Sequence, residues 1–317
     1  MSNILMNAAE PAVVRERRTR RSLSGRGTLL LMAVPCIAAL ALFSYLPLVG
    51  WAIAFFDYKP GLRLLDTEFV GFKYFKMALD NPEMLAVLRN TLAMSFLGLL
   101  ASPLGVLFAI FLAEMRSRKL QRFIQTTTTL PNFVSWVLVY AVCYVMLSAN
   151  DGIVNKVLLQ LHLIDQPLNP LANPDIVWLF QTAIGIWKGL GFGAIVYIAA
   201  IVGIDQEQYD AAAVDGAGRF RKIWHITIPG LMPTFITLLL LSVGGVLNNG
   251  FEQYYLFQNG LVQEKIQVLD LYVYRVGIYM NNYPLSTAIG MAKTIVSVAL
   301  LMSVNVLSRK LRDHSIF

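Results

Sequence analysis

"YDAAAVDGAGRFRKIWHITIPGLMP", residues 209–233, is polar, rich in alanine and glycine, and set between two long apolar runs. Its helix signals are dense. Asp205 stands ahead of it as an N-cap, with Gln208 three residues on in a variant of the capping box. Gln206 to Val214 includes Ala211, Ala212 and Ala213, and alanine is the best helix former. Gly216 and Gly218 follow, where a helix terminus often needs positive φ. A second short helix is expected from about Arg219, with Phe220, Ile223 and Trp224 apolar and Arg221, Lys222 and His225 polar. Pro229 is expected to interrupt it before the next apolar run. The stretch predicts a helix–turn–helix held outside a membrane, with charge of both signs to orient a partner.

The chain around it is too apolar for a soluble domain. It has 317 residues, 56% hydrophobic and 14% charged, and a mean hydropathy of +0.59. Soluble domains carry about 25% charged residues. A helix that crosses a bilayer needs roughly 20 mostly apolar residues. Six stretches meet that length: 28–56, 88–113, 123–148, 176–202, 231–250 and 286–307. The predicted fold class is an all-α integral membrane protein with six transmembrane helices.

Charge orients the bundle. The segments 1–27, 114–122, 203–230 and 308–317 hold six, four, three and three Lys or Arg residues, 16 in all. The alternate segments 57–87, 149–175 and 251–285 hold four, one and two, seven in all. Lys and Arg accumulate on the cytoplasmic side, so both termini and the 203–230 loop are expected there. The net charge of +7 is therefore topological and gives no reason to expect nucleic acid. The first run is too long for a signal-peptide core and lacks a small-residue cleavage site, so it reads as an uncleaved span. The expected organisation is a basic tail 1–27, a six-span region 28–307 and a tail 308–317.

Helix breakers recur within the spans: Pro35 and Pro47, Pro103, Pro131, Pro233, and the glycines 185, 189, 191, 193, 244 and 245. Close helix packing and a kinked pathway are both consistent with them. Cys36 and Cys143 lie in apolar runs as small hydrophobes, and His162, His225 and His314 have no metal-ligand spacing. No phosphate-loop motif occurs, and neither "GLGFGA" (189–194) nor "GAGRFR" (216–221) follows an expected strand.

At this point the sequence resembles a family, the membrane permease subunits of binding-protein-dependent ABC importers. Their signature is Glu-Ala-Ala, three residues, Gly, nine residues, Ile, one residue, Leu-Pro. It falls here on Asp210, Ala211, Ala212, Gly216, Ile226, Ile228 and Pro229, with five of seven identities. The resemblance implies that the loop is a coupling helix docking into a separate ATPase subunit, with Asp215, next to Gly216, counted among the coupling residues. It implies two such ATPase subunits carrying ATP and Mg, a second permease, and an extracytoplasmic solute-binding protein. No cofactor and no catalysis are then expected in this chain, and the expected location is a bacterial inner membrane. Further stretches, among them "FVGFKYFKMAL" (69–79), "LPNFVSWVLVYAV" (130–142) and "FEQYYLFQNG" (251–260), are similar to the branch that carries oligosaccharides or polysaccharide fragments. Within it the chain resembles the first permease subunit of alginate importers.

A sugar path needs polar groups in an apolar wall. The candidates are Gln181, Trp187 and Lys188 in the fourth span, Asn248, Asn249 and Glu252 at the end of the fifth, and Lys293 in the sixth. A buried Lys costs about 2.5–3.5 kcal/mol on insertion scales, so each lysine either reaches an interface or lines a wet cavity, where the pair would suit a uronate. Trp178, Tyr254 and Tyr255 are open to two readings, sugar stacking or the interfacial aromatic belt. Tyr272, Tyr274, Tyr279 and Tyr283 are candidate contacts for the binding protein or lie along the bilayer. A secondary transporter or a membrane glycan-processing enzyme are the alternatives. The first has no use for a coupling loop, and the acidic residues Asp57, Asp66, Glu68 and Asp80 are interspersed with lysines like a solvated surface.

Overall fold

The computed structural model describes residues 25–312; of the expected tails, residues 1–24 and 313–317 lie outside the described residues. Among the described residues every regular element is a helix, beside one isolated bridge between Phe56 and Phe69. The chain divides into two compact units, Met1–Ala52 and Ile53–Phe317.

In the first unit an α-helix spans Gly25–Leu40 and a π turn, Ala41–Tyr45, follows it; the next 3-10 stretch, Leu46–Phe55, begins in this unit and its last three residues belong to the second. Pro47 brings no N–H to the ladder, and the winding changes around it. Leu29, Leu30, Leu31, Met32, Val34 and Ile37 are exposed on all faces of the helix. A helix apolar all round belongs in lipid or among other helices.

Four helices of the second unit are long and apolar enough to span a bilayer: Pro82–Ala113, Val177–Val202, Arg219–Gly244 and Tyr283–Val306. With Leu29–Phe55 that makes five, or six if one bent pair counts as a span. Three expectations need correction.

The stretch 123–148 is not one straight span. Arg118–Phe133 and Trp136–Leu147 meet at a bend of 105°. Pro131 lies in a 3-10 turn, Leu130–Phe133, Val134 is extended, and Ser135 restarts the helix as an N-cap for Leu138 N–H. The carbonyls freed at this break are met from outside the segment. Lys188 Nζ donates to the carbonyls of Pro131, Asn132 and Val134 at 3.0, 2.9 and 2.7 Å. The same ammonium lies 5.3 Å from the centre of the Trp136 ring.

The second span begins at Pro82 rather than 88. Asn81 Oδ1 accepts the Glu83 N–H at 2.9 Å, and Pro82 fills the first turn, where its missing N–H costs nothing.

The fifth span begins at Arg219 rather than 231, because Pro229 does not interrupt it. A π turn, Ile223–Thr227, precedes Pro229, and the Ile228 N–H donates to the Ile223 carbonyl. The wider turn absorbs the missing donor.

The buried side chains gather mainly where the segment 251–285 folds back over spans two, four and six. Asn90 Nδ2 donates to the carbonyls of Glu264 and Gln267 at 2.7 and 3.1 Å. The Leu269 N–H donates to Thr91 Oγ1, and Trp178 Nε1 to the Lys265 carbonyl, both at 2.8 Å. Val262, Ile266, Val268 and Leu271 fill the space beneath. Arg275 is ion-paired with Glu83. In the segment 57–87, Tyr74 is buried and its hydroxyl donates to Asp57. Burial, then that hydrogen bond, pushes the Tyr74 phenol up to about 12. The same bond holds the Asp57 carboxyl below the usual range.

Candidate functional site

The loop between spans four and five has the local structure its residues dictate. Asp205 Oδ1 accepts the Glu207 N–H at 3.0 Å and starts the helix Gln206–Val214. The Ala217 N–H donates to the Ala212 carbonyl at 2.8 Å, and the Gly216 N–H to the Ala213 carbonyl at 3.1 Å. This is a Schellman stop, and Gly216 holds the positive φ of +72° that it needs. The second helix, Arg219–Lys222, opens the continuous fifth span.

Three contacts tie the loop to the bundle. The Tyr209 hydroxyl lies 2.9 Å from the hydroxyl of buried Thr227. Ile204 packs against the backbone at Gly230, where an added Cβ would meet its side chain at 2.6 Å. Arg219 is ion-paired with Glu114 at the end of span two. These contacts join the loop to spans two, four and five.

Asp210, Ala211, Asp215, Gly216 and Pro229 are exposed, and Ala212 and Ile226 are half-buried. Beside them stand side chains that no polar surface loop requires. Val214 is 90%, Phe220 86% and Trp224 70% exposed. Large apolar groups left uncovered on one loop favour a contact surface over a plain solvated one. A concavity of about 360 Å³ on the same loop is lined by Ala212, Ala217 and Ile226 together with the charged or polar Asp215, Arg221, Lys222 and His225. The sequence signalled Phe220 and Trp224 as apolar, but only the fold shows that neither is covered.

The seven path candidates do not converge. Gln181 is buried, and its side-chain and backbone oxygens both accept from Gln253 Nε2 at 2.8 Å. Lys188 serves the broken helix, and Lys293 is ion-paired with Asp270. The paired ammonium groups expected to suit a uronate are thus both engaged within the protein. Asn249 Nδ2 donates to Ser95 Oγ at 2.9 Å. Asn248 and Glu252 are exposed, and Trp187 is 55% exposed. Asn248 borders a cleft of about 440 Å³ with Gly244, Gly245, Thr294 and Ser297. A second cleft, of about 560 Å³, runs between spans two, four and five past Gly98, Gly105, Gly189, Gly193 and Ser242.

The tyrosines sort differently from expectation. Tyr272 is 2% exposed, and its hydroxyl accepts from Asn81 Nδ2 at 2.9 Å, so it cannot meet a binding protein. Tyr254 is also buried and belongs to the core rather than to an aromatic belt. Trp178, half-buried under Arg89 and Lys265, is likewise part of the packing. Tyr279 is exposed, and Tyr255 and Tyr274 are half-buried beside it.

Binding-protein-dependent transport system inner membrane components form a family that matches residues 101–313. Protein LplB of Bacillus subtilis (strain 168) is 40% identical over 290 residues, 91% of each chain. The polygalacturonan/rhamnogalacturonan transport system permease protein YteP of the same organism is 36% identical over 290 residues, 91% of this chain and 90% of its own. A chain of a bacterial alginate ABC transporter, solved with an alginate pentasaccharide-bound periplasmic protein, superposes with a TM-score of 0.82. It is 31% identical, and the match covers 91% of this chain and 96% of that one.

Proposed function

Because the chain belongs to the family of binding-protein-dependent transport system inner membrane components, we propose that it is a membrane-spanning subunit of an ATP-driven importer of oligosaccharides or polysaccharide fragments. Acidic polysaccharide fragments, alginate among them, are the substrate class, by analogy with the relatives above. The chain performs no hydrolysis itself. Two ATPase subunits holding ATP and Mg close beneath it, a second permease completes the path, and a soluble binding protein delivers the sugar. Both termini lie in the cytoplasm, and the segment 28–307 forms the transmembrane region.

The observation that carries this reading is the exposed surface of the 206–227 loop, which has uncovered Val214, Phe220 and Trp224 and a separate hollow lined by Ala212, Ala217, Asp215, Arg221, Lys222 and His225. Such a surface suits docking into a cleft of the ATPase. Asp210, Asp215 and the alanines meet the cleft wall, Gly216 shapes the turn, and Ile226 and Pro229 join the loop to the fifth span. Closure of the ATPases then pulls on spans two, four and five together. Trp187, Asn248, Asn249 and Glu252 serve the path directly. Gln181, Lys188 and Lys293 hold its walls in place.

The test is ATP hydrolysis and uptake by the reconstituted transporter, with and without binding protein and alginate oligosaccharide. Gly216→Ala and Gly216→Pro are compared with the parent. Alanine is strained at φ +72° and proline cannot adopt it. The expected result is an assembled complex with basal hydrolysis but weakened (Ala) or abolished (Pro) stimulation and uptake. Full stimulation in Gly216→Pro removes the coupling role. Stimulation by a neutral oligosaccharide but not by alginate keeps the importer and removes the acidic substrate.

A further inference from the structure

Four rings meet in one place on the segment 251–285. Phe251 and Tyr255 are stacked with centroids 5.0 Å apart, and Tyr274 lies 4.5 Å from Phe251 and 5.6 Å from Tyr255. Tyr279 extends the group, 5.6 Å from Tyr274 at 79°, and is 62% exposed. Its hydroxyl and that of Tyr255 are 3.2 Å apart.

The cluster is held from behind. Gly250 N–H donates to Asp270 Oδ2 at 3.2 Å, Asp270 is ion-paired with Lys293, and Gln253 donates to Gln181. Tyr279 ends a π turn, Arg275–Tyr279, and isolated π turns concentrate at functional positions. Phe251 follows Asn248 and Asn249 after a single residue, Gly250, so the rings lie next along the chain to the candidate path.

We propose that Phe251, Tyr255, Tyr274 and Tyr279 form a stacking platform for a pyranose ring of the transported saccharide; this rests on the import reading above. A pyranose presents a face of C–H groups and a rim of hydroxyls, and the cluster presents the exposed Tyr279 ring, backed by three half-buried rings, beside the paired hydroxyls of Tyr255 and Tyr279. The side chains of an interfacial belt anchor one by one at the headgroup level. These pack on each other and keep their hydroxyls paired. The assignment also answers how a uronate is held when Lys188 and Lys293 are both engaged: through its ring rather than its carboxylate. Stacking tolerates a change of sugar, so the platform receives different uronates alike.

The experiment uses the whole transporter in proteoliposomes with its binding protein, and alginate and galacturonate oligosaccharides as probes. Tyr255→Ala and Tyr279→Ala are expected to lower maximal uptake of both by about tenfold at saturating binding protein. Tyr255→Phe and Tyr279→Phe, which keep the ring, stay within about threefold, because only a hydroxyl is lost. Uptake at parental rates in both alanine variants overturns the platform. So does a defect fully relieved by more binding protein, which marks the patch as a docking contact. An equal loss in the Ala and Phe variants with loss of assembled complex overturns it too, assigning the cluster to folding. Failure of the parent transporter to import either probe removes the acidic-substrate reading, and with it a platform for uronates, while leaving the importer reading standing.

Discussion

Substituting Gly191 tests the broken third span directly. A Cβ at Gly191 would lie 2.3 Å from the Thr128 carbonyl oxygen and 2.4 Å from its carbon. Both are backbone atoms, so no side chain can swing aside. Ordinary contact begins at 3.4 Å. The fourth span and the helix ending at Thr129 must therefore part by about 1 Å, a strain of about 1–3 kcal/mol. Lys188 lies one turn away on the same face, and its three bonds of 2.7–3.0 Å do not survive that displacement intact. Hydrogen bonds to a charged group contribute about 1.5–3 kcal/mol each. Weakening even one brings the total for Gly191→Ala to about 3 kcal/mol or more. The neighbours supply the controls: a Cβ at Gly189 or Gly193 meets nothing within 4 Å. Thermal unfolding of the purified transporter in detergent should show Gly191→Ala melting several degrees below the parent, with Gly189→Ala and Gly193→Ala unchanged. If all three melt together, the close approach does not support the bend and the role given to Lys188 falls.

Lys188→Met should leave the carbonyls of Pro131, Asn132 and Val134 without this donor and destabilise the transporter by about 1.5–3 kcal/mol or more, read in the same melt. Exposed ion pairs contribute about 0.2–1 kcal/mol, so Arg219→Glu should scarcely change melting yet lower ATP-dependent uptake, and adding Glu114→Arg should restore part of it; no loss in the single variant separates this pair from coupling. Folding holds the Tyr74 phenol neutral up to about 12, above its usual 10.0. Its contribution is full below pH 10 and is lost as pH rises towards 12, where the unfolded chain has already ionised. Tyr74→Phe should flatten the fall in melting temperature over that alkaline range, and an unaltered slope counts against the burial assigned to Tyr74.

The sequence was most informative where local chemistry decides the structure. Asp205, the alanine run and Gly216 are a complete set of helix start, body and stop within a dozen residues, and the loop folds accordingly. The start of span two is equally local, in Asn81-Pro82-Glu83, but it precedes the continuous apolar run, which by itself points to a later start. Pro131 was visible, yet the sharpness of the bend was not, because the group that satisfies its carbonyls sits more than fifty residues later. Pro229 misled for the opposite reason. A proline usually ends a helix, but one π turn is enough to carry this helix past it. Tyr254 and Tyr272 have the same composition signature as Tyr279, and only the fold of 251–285 separates buried from exposed.

The continuity of Arg219–Gly244 has a mechanical consequence. A helix of 26 residues is about 39 Å long, at about 1.5 Å per residue. With no hinge at Pro229, a rotation of about 5° imposed at the Arg219 end sweeps the Gly244 end sideways by about 3 Å, given that length. That is close to the width of a water molecule, delivered at the rim of the Asn248 cleft. In the importer proposed above, a movement passed to the Arg219 end of the fifth span would thus be carried to the Asn248 cleft at its other end.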